Sequence, residues 1–102
     1  MFFNNVSLFK PLCAGHIDRA NSSKLTSIGR IDFDYQPAGT GISLITLTSA
    51  LPNTNYLVQV SLYNTTAPNV AITNKTTSSF TITTRLTNGS AASVEYMFVV
   101  HQ

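Results

Sequence analysis

Arg30-Ile31-Asp32-Phe33-Asp34-Tyr35 is the stretch that decides the fold. It alternates without a break: Ile31, Phe33 and Tyr35 share one face, and Arg30, Asp32 and Asp34 take the other. Successive side chains leave a strand on opposite sides, so this period marks a strand with one face buried and one in water. Downstream, Pro37-Ala38-Gly39-Thr40-Gly41 is dense in turn formers. Ile42-Ser43-Leu44-Ile45-Thr46-Leu47-Thr48 is then apolar or β-branched on both faces, as a central strand is. Leu51-Pro52-Asn53-Thr54-Asn55 breaks it, and Tyr56 to Tyr63 alternates again with Tyr56, Val58, Val60 and Leu62 on one side.

The same reading runs to the C-terminus. After Asn64-Thr65-Thr66-Ala67-Pro68, a loop, Val70-Ala71-Ile72 is a short strand, Asn74 to Thr77 turn, and Phe80-Thr81-Ile82-Thr83-Thr84 alternates. Asn88-Gly89 is a turn signal because both residues tolerate positive φ. Val94 to His101 forms the last strand, with Val94, Tyr96, Phe98 and Val100 on one face and Glu95, Met97, Val99 and His101 on the other. Upstream, Leu8-Phe9 and Leu12 to Ile17 read as short strands, with Asp18 to Ser23 as a turn. Closely spaced strands with no helical periodicity between them predict an all-β, antiparallel β-sandwich, jelly-roll-like, of about 6–8 strands. Residues 1–13 are expected to form an N-terminal arm or first edge strand, and residues 14–102 the sandwich domain.

With 102 residues there is room for one domain. Charged residues make up 10% of the chain, and Ser, Thr and Asn stand where charges would be. A hydrophobic fraction of 43% and a net charge of +2 are the reverse of a disordered composition. Little repulsion keeps such molecules apart, which points to self-association, while a surface of hydroxyls and amides also suits sugar binding. Lys10, Arg19, Lys24, Arg30, Lys75 and Arg85 are scattered, so no nucleic-acid footprint is expected. No apolar run is long enough to insert in a membrane. The opening Met1-Phe2-Phe3-Asn4-Asn5-Val6-Ser7-Leu8-Phe9 has no basic start and is interrupted by Lys10-Pro11, so no signal peptide is expected. Cys13 is the single cysteine, which excludes an internal disulfide and reads as a small buried hydrophobe.

Catalytic chemistry is scarce. Asp18, Asp32, Asp34 and Glu95 are the acids available. Asp32 and Asp34 lie two apart on one strand face, read as a solvated exterior or, more sharply, as a pair around a divalent cation that would need further oxygens. His16-Ile17-Asp18 would point both polar side chains the same way, for a hydrogen bond or for acid–base work. His16 and His101 lie at opposite ends of the sequence and cannot be brought together on sequence grounds. No phosphate loop, metal-ligand spacing or nucleophile elbow is present, so no enzyme, metal or cofactor is expected. The sequons at Asn5, Asn21, Asn64, Asn74 and Asn88 matter only on a eukaryotic secretory route.

Most aromatic residues fall on faces assigned to the core. Tyr63 is different, standing at a strand end beside Asn64, where its ring could stack and its hydroxyl bond to a sugar or protein. Binding residues favour loops on a rigid scaffold, here 36–41, 52–55, 64–69 and 86–92. Asn53, Asn55, Asn64 and Asn69 join Tyr63 as the candidate ligand-binding residues.

From about residue 14 onward, one ordered series of segments is distinctive. Ala14-Gly15-His16-Ile17 precedes Ile28-Gly29-Arg30-Ile31; Ala38-Gly39-Thr40-Gly41 feeds Ile42-Ser43-Leu44-Ile45-Thr46-Leu47; Leu51-Pro52-Asn53-Thr54-Asn55-Tyr56-Leu57-Val58 follows. Ser79-Phe80-Thr81-Ile82-Thr83-Thr84 and Val94-Glu95-Tyr96-Met97-Phe98-Val99-Val100 complete it. The series resembles the small terminal β-domains of bacteriophage tail fibres and related virion proteins. The resemblance implies a homotrimeric sandwich knob in the virion, assembled in the host cytoplasm. Its role would be attachment to a host-surface glycan or protein. Such domains end a long fibre, whereas about a dozen residues precede this one. A stand-alone fibre-tip, head-fibre or decoration subunit, or a shaft supplied by another chain, is therefore expected. Phe2, Phe3, Leu8 and Phe9 would then form a docking arm toward other virion proteins, ordered on binding. A free-standing lectin-like carbohydrate-binding module is the alternative.

Overall fold

A computed structural model describes residues 11–18, 23–63 and 69–102, with Ser23 and Leu25 described by backbone only. The expected docking arm and Asn64 lie outside the described residues. Among those described there are eight strands and no helix: β1 (Cys13–Asp18), β2 (Ser23–Ile28), β3 (Phe33–Pro37), β4 (Ile42–Leu47), β5 (Leu57–Leu62), β6 (Asn69–Thr73), β7 (Ser79–Arg85) and β8 (Tyr96–His101). They form two four-stranded antiparallel sheets, ordered β2-β1-β8-β5 and β3-β4-β7-β6. This is the antiparallel β-sandwich the alternation predicts. The first and last strands pair, as in a jelly roll, while β1–β2, β3–β4 and β6–β7 pair as local hairpins.

Alternation fills the space between the sheets. Cys13, Ile17, Tyr96, Phe98 and Val100 point in from the first sheet, and Phe33, Ile45, Leu47, Phe80 and Ile82 from the second. The aromatic rings meet edge on: Phe33 and Phe98 at 4.9 Å between centroids, Phe80 and Phe98 at 5.7 Å. Edge-to-face packing sets the positive rim of one ring against the negative face of the next. Gly15 lies at the centre of this contact. A Cβ there would collide with the Phe33 ring and come within 2.7 Å of Phe98.

Two differences from the sequence reading have local causes. The alternating stretch from Arg30 becomes a strand only at Phe33, because Arg30 and Ile31 donate their N–H groups back to Pro11 and Leu12 O (3.2 and 3.0 Å) as the chain crosses between sheets. A separate strand, β2, occupies Ser23–Ile28, where no element is expected from the sequence, and it lies on the edge beside β1. β1 begins at Cys13 and is central in its sheet, with Leu12 and Cys13 buried in the core.

Turn chemistry follows the residues. The Asn88 carboxamide accepts from Ser90 N at 2.9 Å, and Gly89 takes φ +88°. Gly41 sits at φ +70°, bonded to Ser93 Oγ through its N–H (3.0 Å) and accepting from Thr84 N (2.8 Å). That places loops 38–41 and 86–93 at one end of the sandwich, together with the end of β5. Loops 48–55 and 74–78 lie at the other end, tied by Leu51 N to Thr77 O (2.7 Å) and by the Tyr56 hydroxyl, which donates within reach of Thr76 O (2.7 Å) and Ser79 O (3.1 Å).

Candidate functional site

The candidate ligand residues fall at opposite ends of the molecule. Asn53 and Asn55 precede β5, where the Asn53 carboxamide oxygen accepts from Asn55 N at 2.8 Å and shapes the loop. Tyr63 follows β5, six residues of strand or about 20 Å away. Asn69 opens β6 at the Tyr63 end, and its amide donates to Leu86 O at 3.1 Å. The structure therefore separates Asn53 and Asn55 from Tyr63 and Asn69.

Tyr63 instead belongs to a cluster on the outer face of the first sheet. Pairing of β1 with β8 sets His16 opposite Met97. His16 Nε2 bonds to Glu95 Oε2 at 2.5 Å, across 79 residues of sequence. The Tyr63 ring leans on His16 at 4.9 Å between centroids and 38° between planes. Its hydroxyl donates to Met97 Sδ at 3.2 Å, and its N–H bonds to Glu95 O at 3.0 Å. A histidine, a carboxylate and an exposed aromatic ring are thus fixed together at the mouth of one end of the sheet. Sequence reasoning paired His16 locally with Asp18 and missed Glu95. The signal that could have found it was the alternation of β1 and β8, once first and last strands are set side by side. His101 sits four residues further along β8 than Met97, about 13 Å away, and its Nε2 meets Gln59 Oε1 at 3.0 Å.

Beside this cluster the face turns apolar. The register lines up Ile28, Ala14, Val99 and Gln59 in one row and Thr26, His16, Met97 and Ser61 in the next. Between the rows is a depression of about 240 Å³ lined by Ala14, His16, Thr26, Ile28, Met97 and Val99. Ile28 is 55% exposed there and carries no partner from the core. The result is a shallow apolar face with no Lys, Arg, Asp or Glu in its lining and a polar cluster at its rim.

Asp32 and Asp34 both point outward, as read from the alternation. Asp32 Oδ1 accepts from Lys24 Nζ at 2.8 Å, from the Ser27 hydroxyl and from Phe33 N at 2.7 Å. Lys24 foremost, then Ser27 and Phe33 N–H, hold its carboxyl far below the usual carboxylate range. These are the partners of a structural link between β2 and β3. Among the described residues no three His, Cys, Asp or Glu side chains stand together as metal ligands. Nor is any helix there long and apolar enough to cross a membrane. The Cys13 thiol is fully buried; burial, with a smaller push from Asp32, raises its pKa to about 11.

Fold and site together define the chain as an all-β sandwich with an apolar face and a His–Glu–Tyr rim. Compared with known families, curated proteins and solved structures, it finds no match.

Proposed function

We propose that this chain is a non-catalytic structural subunit of a bacteriophage virion, a fibre-tip or capsid or tail decoration domain that acts in attachment or assembly as a homotrimer. The observation that carries the reading is the outer face of the first sheet. Its Ile28, Ala14, Val99 and Met97 form a broad apolar depression with no Lys, Arg, Asp or Glu lining it, the chemistry of a surface that meets another protein. A composition with 10% charged residues supports it, because molecules of low charge approach one another without repulsion. The ordered segments that resemble tail-fibre terminal domains supply the virion setting.

The lectin-like reading draws on Tyr63. It is 38% exposed, its ring is braced by His16, and Glu95 stands alongside as an acceptor. A sugar could stack on the ring and bond to the carboxylate.

Native mass measurement followed by a glycan array separates the two. A stable trimer that binds no glycan supports the structural role. A monomer whose glycan binding disappears in Tyr63→Ala overturns it in favour of the lectin. On the structural reading, Ile28→Asp leaves folding intact and removes binding to particles.

A further inference from the structure

The two long sides of this sandwich are built differently. On the β2–β3 side the sheets are fastened together. Lys24 Nζ reaches across to Asp32 Oδ1 (2.8 Å) and Phe33 O (2.7 Å) and lies 4.5 Å from the Phe33 ring centroid. The β1–β2 register shifts between His16 and Ile17, and β3 ends in Pro37, which has no N–H to offer. A charge, a bulge and a proline are the devices by which edge strands resist pairing with other chains.

The β5 and β6 strands themselves have none of these, and the cation near them, Lys75, lies beyond the end of β6. Leu57–Leu62 and Asn69–Thr73 contain no charged residue and no proline, and both pair with their inner neighbours without a register shift. Among the described residues each has a strand on one side alone, β8 and β7 respectively. Their inward side chains Val58, Val60, Leu62, Val70 and Ile72 pack on the core yet stay half-buried. One strand further in, Phe98, Val100, Phe80 and Ile82 are at most 1% exposed. A cavity of about 250 Å³ opens at the seam between Val58, Ile72 and Tyr56, and Leu57 beside it is 68% exposed.

We propose that this seam is the self-association surface: the β5–β6 sides of three copies meet around a shared axis, each covered by its neighbours. The inference rests on the self-association in the reading above and assigns it a place. Charge selects the occupant. Around such an axis like residues stand close to like, so a charge near it would face its own sign. The two strands carry none. Among the described residues the seam cavity offers a nucleic acid or anionic headgroup one cation, Lys75, whose amine already bonds to Tyr56 O at 2.7 Å. The guarded β2–β3 side adds the second constraint. One open side per copy closes an assembly, whereas two would propagate into a filament.

Sedimentation velocity on the full chain over a hundredfold concentration range tests this with three variants. Leu57→Lys alters an exposed position and leaves folding untouched; Val60→Lys places a lysine inside the seam, with a circular dichroism melt to verify its fold. Ile28→Lys, on the same outer face but at the opposite edge of that sheet, is the control. The expected result is an oligomer for the wild type and Ile28→Lys, with association weakened at least tenfold in Leu57→Lys and in folded Val60→Lys. Dissociation by Ile28→Lys with Leu57→Lys unaffected overturns the seam and leaves self-association standing. A wild type that is monomeric throughout overturns both. Deleting residues 1–10 distinguishes the remaining occupant: a truncated chain that still associates supports the seam, and one that becomes monomeric assigns the contact to that segment and overturns it.

Discussion

Two tyrosines show how burial alone misleads about a polar residue. Tyr56 is buried, and its hydroxyl serves the two carbonyls that join loops 48–55 and 74–78. Tyr96 is as deeply buried, but its hydroxyl makes no hydrogen bond of normal geometry, and its one hydrogen-bonding neighbour, the Ser43 hydroxyl, is a weak one. Tyr56→Phe should therefore cost about 1–2 kcal/mol, and Tyr96→Phe should be neutral or stabilising by up to about 1 kcal/mol. Urea midpoints of the two variants check the pair. Cys13 supplies a pH dependence. Its folded thiol is raised to about 11 from an ordinary 9.0, so the protonated form is the one the fold favours. That contribution is complete below pH 9, is lost as pH rises through about 11, and amounts to up to about 3 kcal/mol. Urea midpoints from pH 8 to 11 should fall more steeply for the wild type than for Cys13→Ala. Parallel slopes would contradict the assignment.

At the scale of elements, alternation was enough to find β3, β5, β7 and β8, because each hides one face and a two-residue period then appears in the sequence, while β4 showed as a run apolar or β-branched on both faces. β2 was not legible, since Ser23-Lys24-Leu25-Thr26-Ser27-Ile28 is an edge strand with Lys24, Thr26 and Ile28 exposed, and polar residues stand on both of its faces. Of the candidate site, Tyr63 was legible as an aromatic off the core face. Its partners His16, Glu95 and Met97 were not, because they depend on which strands become neighbours, and that is a long-range property. Gly15 illustrates the same limit. In sequence it is one small residue in Ala14-Gly15-His16-Ile17; in the fold it is the space the Phe33 ring occupies. Gly15→Ala should cost about 1–3 kcal/mol through forced repacking of Phe33 and Phe98. A thermal melt should show this as a loss of about 5 °C or more for each kcal/mol, given the size of the domain.

For the whole molecule, the shortage of charge and the uneven edges are one design. Six basic and four acidic residues cannot guard every strand. Lys24 and Asp32 are used together to close the β2–β3 side, which leaves β5 and β6 bare and their inner valines, leucine and isoleucine half in water. Such a surface is costly for a monomer and useful for an assembly. The outer face of the first sheet, with its apolar depression and the His16–Glu95–Tyr63 rim, then remains free to meet something other than a copy of the chain. The most direct measurement is amide hydrogen exchange on the full chain at concentrations above and below its association. The account predicts that protection rises on association in β5 and β6, with β2 and β3 unchanged. Protection gained at β2 and β3 instead, or no change in β5 and β6, would contradict it.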